Sequence, residues 1–419
     1  MIKITDISCF DIRFPTSMEL EGSDAMNKAP DYSAAYLIIK TNKSSLEGHG
    51  HTFTIGRGNE ICVKAIESIS NTLKGKTLEE IRNNWLDYYY SIVNDSQYRW
   101  IGPEKGVIHL ASAALFNALW DLYAKSQKKP LWQIICEMRP DEMIELIDFK
   151  YIEDAITKAS ALAILNNLYD TRNERIQLLK NNGYPAYTTS AGWLGYSKEK
   201  LETLCKQAKK ENWNYLKFKV GSNLEEDINR LSLARKILGN DIIIMIDANQ
   251  VWSIQEAIVW MDSLKEFNPW FIEEPTNPDD ILGHLKIREA IKPIKVATGE
   301  HCQNKVMFKQ YFQANAIDIC QLDSCRLASL SEILAVQLLA AKYNKPICPH
   351  AGGVGLSEYV QHLGIIDYVC ISASLNGRVI EYIDNLHDEF LYPCTIENGS
   401  YKVPTNHGYS GTLKNESID

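Results

Sequence analysis

The stretch Ile242-Ile243-Ile244-Met245-Ile246-Asp247-Ala248-Asn249 is a short apolar run that ends in polar residues. Five consecutive apolar residues are too few for a buried helix and are typical of a strand buried on both faces. Amphipathic segments of helical length lie on either side, at Glu225–Leu238 and Ile254–Phe267. The stretch therefore predicts a β-strand between two helices, with polar side chains at its C-terminal end.

The same unit repeats outward from this strand in both directions. Strand-like runs occur at Tyr215–Val220, Ile242–Asp247, Trp270–Glu274, Lys295–Thr298, Ile317–Leu322, Pro346–Pro349 and Tyr368–Ser372. Alternating strands and helices predict a parallel sheet with right-handed crossovers, either a closed barrel or an open sheet. No glycine-rich nucleotide-binding motif follows any strand, and polar residues end nearly all of them. Both observations favour the closed α/β barrel.

The flanking parts of the chain have a different pattern. Residues 1–135 begin with strand-like alternation at Ile4–Phe14 and Ala34–Lys40 and continue with helical segments, which predicts an α+β capping domain. We assign the barrel to residues 136–379 and expect the irregular segment 380–419 to pack back on the first domain. The long polar segment Pro15–Asp31 is predicted to be a mobile loop, because structureless loops of that length are uncommon unless they are functional.

Composition excludes several classes of protein. The 419 residues include 44 basic and 53 acidic side chains, a net charge of −9, which disfavours nucleic acid and anionic membranes as partners. No apolar run approaches the ~18 residues of a membrane span, and the N-terminus lacks a signal-peptide pattern, so we expect no membrane association and a cytoplasmic protein. The 10 cysteines include no Cys-x-x-Cys pair and are expected to be buried free thiols.

Acidic residues end neighbouring strands at regular spacing. Asp247, Glu273 or Glu274, and Glu300 are 26 or 27 residues apart, about one strand–helix unit. In a barrel of this kind they meet at one mouth. Three carboxylates without a thiol or imidazole form the hard oxygen site that Mg²⁺ prefers, and they would repel one another without a cation. Strand alternation places Glu273 and Glu274 on opposite faces, and spacing alone does not choose between them.

Candidate acid–base groups lie on strands at both sides of these acids. Lys217 and Lys219 share one face of a strand, and their repulsion together with a nearby cation is expected to lower the pKa of one lysine enough for it to act as a base. Schiff-base chemistry is the competing interpretation of a buried lysine. Asp323 ends the strand before the one that His350 follows, so it is placed to orient the imidazole and raise its basicity.

These residues together resemble a known family. The motifs are Lys217-Phe218-Lys219, Asp247-Ala248-Asn249, Ile272-Glu273-Glu274-Pro275, Gly299-Glu300 and the Asp323/His350 pair. They resemble the mandelate-racemase subgroup of the enolase superfamily over the whole chain. Longer stretches are similar to members of that subgroup that dehydrate L-fuconate: 13–17, 22–26, 30–36, 99–106, 184–190, 321–327 and 348–355.

The resemblance implies a modified (β/α)₇β barrel under an α+β capping domain. It implies Mg²⁺ held by Asp247, Glu273 and Glu300. It also implies that Lys219 removes the C2 proton of L-fuconate and that His350, oriented by Asp323, protonates the departing 3-hydroxyl to give 2-keto-3-deoxy-L-fuconate. The substrate contacts that it implies are Gly22, Ser23, Asp24, Tyr32, Lys217, Asn249, Ala351, Gly352 and Glu381.

Other functions remain open at this point. A related acid-sugar dehydratase or epimerase for another stereoisomer would share the same lysine, histidine and aspartate. A non-catalytic sugar-acid-binding protein would keep the fold without turnover. A Schiff-base aldolase ranks last, because it needs neither three carboxylates nor a His–Asp pair. We expect a small sugar acid as the partner and a homo-oligomeric assembly.

Overall fold

The structure is a computed structural model that describes residues 1–102 and 104–418. Pro103, within the stretch 99–106 that carries part of the resemblance, lies outside the described residues. Asp419, the last residue of the predicted returning segment, also lies outside them.

The N-terminal part is an antiparallel three-stranded sheet covered by helices. Its strands, β1 (Ile4–Arg13), β2 (Ser33–Thr41) and β3 (Glu47–Thr54), pair in the order β1-β2-β3. The helices that follow are α1 (Asn59–Ser70), α2 (Leu78–Asn83), α3 (Trp85–Val93), α4 (Gly106–Ser126) and α5 (Leu131–Glu137). Helix α4 packs directly on β3 because Gly48 and Gly50 have no side chain on that face; a Cβ at either would overlap the α4 backbone. This is the α+β layer that the sequence predicts.

Helix α4 also corrects one detail of the sequence analysis. Its 21 residues are long and apolar enough to cross a membrane by length and composition, although no uninterrupted apolar run indicated it. Inside the protein, 83% of its most apolar window is buried. The helix is therefore a core element between the sheet and the barrel, and its apolar character reflects burial on most sides.

A connecting region of three helices leads into the barrel. These are α6 (Pro140–Ile144), α7 (Lys158–Tyr169) and α8 (Arg172–Asn182). Helices α7 and α8 pack against the segment Asp367–Ser372, which lies just before the last barrel strand. The domain boundary at residues 135/136 stays a prediction.

The second part of the chain is the predicted (β/α)₇β barrel. Its strand positions are β4 (Tyr184–Thr188), β5 (Tyr215–Lys219), β6 (Ile243–Asp247), β7 (Phe271–Glu273), β8 (Lys295–Thr298), β9 (Ile319–Cys320), the bridge residue Ile347 and β10 (Ile380–Tyr382). The strands from β4 to β9 pair in parallel in this order, Ile347 forms a parallel bridge with Cys320 of β9, and β10 pairs in parallel with β4. The amide of Glu381 donates to the carbonyl of Pro349, which joins the last two positions and closes the barrel.

Seven helices connect these strands within the described residues. They are α9 (Lys198–Lys210), α10 (Leu224–Leu238), α11 (Ile254–Leu264), α12 (Ile281–Ala290), α13 (Lys305–Gln313), α14 (Leu330–Lys342) and α15 (Leu356–Ile366). One small core fills the barrel interior below the site, with Tyr187, Met245 and Phe271 as its largest members. The barrel is thus a packed body whose open mouth lies at the C-terminal ends of its strands.

One strand prediction was wrong, and one strand was not predicted. The run Tyr368–Ser372 is a π-helical turn that continues α15, because a short buried apolar run has the same pattern in a helix and a strand. The last barrel strand is instead β10, Ile380–Tyr382, which pairs with β4. Residues 380–382 therefore belong to the barrel and not to the returning segment. The first barrel strand, Tyr184–Thr188, was not predicted, since Pro185 obscures its pattern.

The returning segment contacts both parts of the molecule. Strands β11 (Ile396–Glu397) and β12 (Ser400–Tyr401) form a hairpin whose second strand pairs with β4. Farther on, the amide of Leu413 donates to the Tyr36 hydroxyl, at 3.0 Å, and Lys125 of α4 donates to Thr412, at 2.8 Å. These contacts join the segment to the sheet and to the core helix.

Candidate active site

Strand register brings the first site residues together. Lys219 pairs with Asp247 across β5 and β6, and Asp247 pairs with Glu273 across β6 and β7. Glu300 follows β8 by two residues. These side chains therefore end successive strands at the same mouth of the barrel.

The strand-end residues are not helix caps. The helices that follow the strands begin instead at separate capping side chains: Ser197, Asn223, Ser253, Asp280, Asn304 and Ser329. A strand-end acid is often explained as a helix N-cap. Here that explanation fails, because the capping is done by other residues, and the acids remain available for chemistry.

The three predicted metal ligands converge in a buried cluster. Asp247, Glu273 and Glu300 each place a carboxylate oxygen within 4.8 Å of the other two. Oε1 of Glu273 is buried and has no hydrogen-bond partner among the described residues. Burial raises the pKa of Glu273, Lys217 opposes this and like-charge repulsion from Asp247 adds to it, for a net value of about 8. A cluster of hard oxygen donors with an unused buried oxygen fits a divalent cation such as Mg²⁺.

Glu274, the alternative to Glu273, occupies a different environment. It has a left-handed backbone, φ 42°, and both of its carboxylate oxygens accept from Nε2 of Gln250, at 3.0 and 2.9 Å. With Glu300 and His301 it forms a second set of ligand atoms that lie within 4.8 Å of one another. Strand register nonetheless distinguishes Glu273 from Glu274, because only Glu273 pairs with Asp247 across β6 and β7.

The two lysines are held by ion pairs. Nζ of Lys217 lies 2.7 Å from Glu273 and 2.8 Å from Glu381, and Nζ of Lys219 lies 2.6 Å from Asp247. Burial lowers the pKa of Lys219, but the charges of Asp247, Asp24 and Glu300 outweigh it, and the net direction is upward. These carboxylates outweigh the repulsion between the two lysines, and the predicted lowering, which also depends on a nearby cation, stays a prediction.

His350 and Asp323 form the predicted pair on the other side of the acids. Nδ1 of His350 is 2.7 Å from Oδ2 of Asp323, and its Nε2 is 3.3 Å from Oε2 of Glu300. Burial lowers the pKa of His350, but Glu300, Asp323 and Glu381 raise it to a net value of about 9. Burial alone would raise the pKa of Glu300, whereas His350, His301 and Lys219 lower it well below its usual range. The net direction favours the protonated imidazole, whose Nε2 also lies 3.1 Å from the Gly352 amide.

One cavity of about 270 Å³ joins these groups to the capping domain. Of the predicted residues, it is lined by Gly22, Asp24, Tyr32, Lys219, Asn249, Glu300, Asp323, His350 and Gly352. Lys217, Asp247, Glu273 and Glu381 are buried and absent from this lining, and Asp247 contacts it through its ion pair with Lys219. Ser23 and Ala351 are also absent from the lining: the Ser23 hydroxyl donates to the Lys28 carbonyl, and the Ala351 amide donates to Glu381.

The loop from Pro15 to Asp31 reaches over the barrel mouth. The amide of Leu194 donates to the carbonyl of Ser23, at 3.0 Å, and Lys200 donates to the carbonyl of Glu19, at 3.2 Å. Asn385, after the last barrel strand, donates to Glu21, at 3.1 Å. Barrel loops therefore hold the capping-domain loop in place above the cavity.

Sequence reasoning missed part of the lining. The additional residues are Met26, Asn27, Pro30, Phe53, Thr54, Ile55, Arg57, Leu110, Trp193, Gln250, His301, Cys325 and Arg326. Gln250, His301 and Arg326 each lie within three residues of a predicted site residue, so proximity could have identified them. Phe53, Thr54, Ile55 and Arg57 carried no local signal, because they reach the cavity only through the docking of β3 and its following loop on the barrel.

The capping sheet, the closed barrel and the carboxylate cluster at one mouth define a class of protein. The chain belongs to the mandelate racemase/muconate lactonizing enzyme family of the enolase superfamily: the model of the N-terminal domain of that family matches residues 25–136, and the enolase C-terminal domain-like model matches residues 200–417.

Individual relatives are similar over nearly the full chain. The L-galactonate dehydratase of Hypocrea jecorina is 54% identical over 100% of this chain and 93% of its own length. The mitochondrial enolase superfamily member 1 of Xenopus laevis is 52% identical over 99% and 94%. The crystal structure of the human protein of that name superposes with a TM-score of 0.98, at 48% identity, over 99% of this chain and 95% of the other.

A more distant structure shares the fold. The L-talarate/galactarate dehydratase of Salmonella typhimurium, solved with Mg and L-lyxarohydroxamate, superposes with a TM-score of 0.78 at 22% identity, over 99% of this chain and 92% of the other. The two proteins therefore share the capping domain and the barrel although most of their residues differ.

Proposed function

We propose that this chain is an Mg²⁺-dependent acid-sugar dehydratase and that its substrate is L-fuconate, which it converts to 2-keto-3-deoxy-L-fuconate and water. The observation that carries the proposal is the placement of a lysine and a histidine–aspartate pair around one carboxylate cluster in a single cavity. Removal of a C2 proton and loss of a 3-hydroxyl need one base and one acid near the same substrate. The cavity offers one candidate for each role.

Lys219 acts as the base toward C2. Its Nζ lines the cavity and is 2.6 Å from Oδ2 of Asp247. An ammonium group cannot accept a proton, so Lys219 must be neutral when it reacts. The ion pair with Asp247 favours the charged form of Lys219 and so opposes deprotonation. This ion pair weakens when Asp247 serves as a metal ligand. Through Asp247, metal binding thereby increases the fraction of Lys219 that is neutral and can act as the base.

His350 acts as the acid toward the 3-hydroxyl. The Asp323 carboxylate accepts from Nδ1, and Nε2, which lies 3.1 Å from the Gly352 amide and 3.3 Å from Oε2 of Glu300, is the nitrogen left to pass a proton to the substrate. The pKa of His350 is raised to about 9 by Glu300, Asp323 and Glu381, which favours the protonated imidazole; when Glu300 serves as a metal ligand, Asp323 and Glu381 keep part of this effect. The departing oxygen takes this proton and leaves as water, and the neutral imidazole that remains is still held by Asp323.

Asp247, Glu273 and Glu300 hold the metal in this proposal. When bound there, Mg²⁺ supplies positive charge that stabilises the negative charge developing on the substrate carboxylate after proton removal. Lys217, fully buried against Glu273 and Glu381, fixes the position of one ligand from below. Gly22, Asp24, Tyr32, Asn249 and Gly352 line the cavity beside the reacting groups and contact the sugar-acid chain.

L-galactonate is the second candidate substrate. The 54% identity with the fungal L-galactonate dehydratase favours it. L-fuconate is 6-deoxy-L-galactonate, so the two acids differ only by a hydroxyl at C6. Met26, Phe53 and Leu110 add apolar surface to the cavity wall and favour the methyl end of L-fuconate. Because an apolar pocket rejects an added hydroxyl only weakly, by about 10²-fold, we expect both acids to react and L-fuconate to react faster.

The test is a comparison of purified protein on a panel of five- and six-carbon sugar acids, with Mg²⁺ and with EDTA, detecting 2-keto-3-deoxy acids. The expected result is metal-dependent turnover with the highest kcat/KM on L-fuconate. Lys219→Ala and His350→Asn should abolish this turnover, whereas the matched controls Lys206→Ala and His407→Asn, which replace exposed residues of the same types, should leave the rate unchanged.

Other outcomes would select the alternatives. Faster turnover of L-galactonate would replace the substrate and keep the mechanism. Inversion at C2 without loss of water would indicate an epimerase. Tight binding of an acid without any reaction would support the non-catalytic sugar-acid-binding protein.

Location and assembly are part of the same proposal. We expect the chain in the cytoplasm, although the vertebrate relatives carry the word mitochondrial in their names. Imaging of the tagged full-length protein decides between the two compartments. We also expect a homo-oligomer, which light scattering after size-exclusion chromatography measures directly.

A further inference from the structure

Another group of side chains that could bind a metal ion lies outside the cavity and away from the two sets described above. Glu358 is in the first turn of α15, His387 begins a short 3₁₀ helix, and Cys394 lies in the returning segment. Each places one ligand atom within 4.8 Å of the other two. Glu358 and Cys394 are buried, and His387 is partly buried. Three separate segments of the chain thus converge on one point.

The spacing of these ligand atoms is close to that of a tetrahedral site. Nδ1 of His387 lies 3.6 Å from Sγ of Cys394. Nitrogen and sulfur ligands at ~2.1 and ~2.3 Å from a zinc ion are ~3.6 Å apart in a tetrahedron. Nδ1 is only 2.7 Å from Oε1 of Glu358, since the two share a proton. A cation in place of that proton requires them to separate by ~0.6 Å.

The orientation of His387 is already set. Its Nε2 donates to the carbonyl of Ile383, at 2.6 Å, and its ring stacks on Tyr382 with 4.8 Å between centroids. An imidazole that binds a metal through one nitrogen commonly donates its other N–H to a carbonyl or carboxylate. Here this second contact is present and leaves Nδ1 facing Glu358 and Cys394.

The cluster has a path to the surface. Cys394 lines a groove of about 510 Å³, together with Tyr382 and Asp384. The exposed carboxylate of Asp384 adds negative charge along this groove. A cation can therefore reach the thiol side of the cluster, and a water molecule in the groove can complete the coordination.

We propose that Glu358, His387 and Cys394 form a second metal site, which binds a thiophilic divalent cation of the Zn²⁺ class. A thiolate, an imidazole and a carboxylate select borderline-soft cations, whereas the three carboxylates of the cavity select hard ones. Binding releases two protons, one from Nδ1 of the charged imidazole and one from Sγ. The site is independent of the proposed dehydration.

Metal binding is expected to stabilise the segment that forms one edge of the cavity. Ile383 and Leu386, which precede His387, pack in one apolar cluster with Tyr32 and Trp193 of the cavity wall. A cation at His387 would tie this edge to α15 and to the returning segment. It therefore stabilises the fold without touching substrate.

Co²⁺ and Zn²⁺ themselves are the probes. The full chain is titrated with Co²⁺ while excess Mg²⁺ occupies the carboxylate cluster. We expect one equivalent of Co²⁺ to produce the near-ultraviolet charge-transfer absorption of a thiolate–cobalt bond and Zn²⁺ to displace it. Cys394→Ser should abolish the absorption and weaken Zn²⁺ binding more than about ten-fold, with Mg²⁺-dependent turnover unchanged. Cys205→Ser, at a buried thiol on α9, is the matched control and should behave like the wild type.

Two results would overturn the proposal. One is a wild-type titration without thiolate–cobalt absorption. The other is an absorption that persists in Cys394→Ser. If that variant fails to fold, His387→Asn keeps the thiol and removes the imidazole, and an unchanged affinity for Zn²⁺ in it would equally contradict the site.

Discussion

Nδ1 of His350 lies 2.7 Å from Oδ2 of Asp323, and the two residues follow neighbouring strand positions of the barrel. The Asp323 charge helps to raise the pKa of His350 to about 9. Asp323→Asn removes this charge, so the pKa of His350 falls. An acid must be protonated to act, and we therefore expect kcat to fall about 10²-fold and its alkaline limb to move to lower pH. A pH–rate profile that keeps its alkaline limb would contradict this role.

Isotope exchange separates the two halves of the proposed reaction. In D₂O, His350→Asn should still exchange the C2 proton of L-fuconate, because Lys219 is intact, but should release no 2-keto-3-deoxy product. Lys219→Ala should lose both exchange and dehydration. Proton NMR of the recovered substrate measures the exchange. If Lys219→Ala still exchanges C2, another group is the base.

Metal removal should act on stability as well as on turnover. EDTA is expected to abolish activity and Mg²⁺ to restore it. Because the cation binds only the folded chain, Mg²⁺ at 100 times its Kd should raise the free energy of unfolding by about 2.7 kcal/mol. Glu273→Gln should lose most of this gain, measured by thermal unfolding with and without Mg²⁺. An equal gain in the variant would show that the ion binds elsewhere.

Gly22 tests the contact between the capping-domain loop and the cavity. It has a left-handed backbone, φ +78°, and a Cβ there would overlap the ring of Tyr32. We expect Gly22→Ala to raise KM at least several-fold by displacing Tyr32. Gly239→Ala has a similar φ, +80°, but no atom within 4 Å of the added Cβ, so it isolates backbone strain. Equal effects of the two substitutions on KM would rule out the contact.

His362 should make the fold sensitive to acid. Its Nδ1 accepts from the amide of Trp132, at 3.2 Å, and burial lowers the pKa of His362 to about 3. Between pH 6.5 and 3 the unfolded chain binds a proton that the folded chain does not, so stability falls as the pH drops below 6.5. One such group contributes a slope of about 1.4 kcal/mol per pH unit. His362→Gln should reduce the slope by this amount in denaturant titrations between pH 5.5 and 4, and parallel curves would contradict the assignment.

Much of this protein follows from local sequence pattern. The alternation of short apolar runs with amphipathic helices indicates the barrel, because a buried parallel strand and a surface helix each have their own periodicity. The regular spacing of Asp247, Glu273 and Glu300 places them at one mouth, since parallel strands all end on the same side. The pattern failed at Tyr368–Ser372, where four buried apolar residues do not distinguish a helical turn from a strand.

Tertiary structure decided the rest. Whether Glu273 or Glu274 joins the cluster depends on the left-handed backbone of Glu274, and the direction of the Lys219 pKa depends on carboxylates contributed by other strands. The cluster of Glu358, His387 and Cys394 has no spacing that sequence analysis could detect, because its members are 29 and 7 residues apart. Local periodicity determines which segments become strands and helices. Electrostatic environment and ligand geometry depend on distances between side chains that are remote in sequence, and only the folded chain sets those distances.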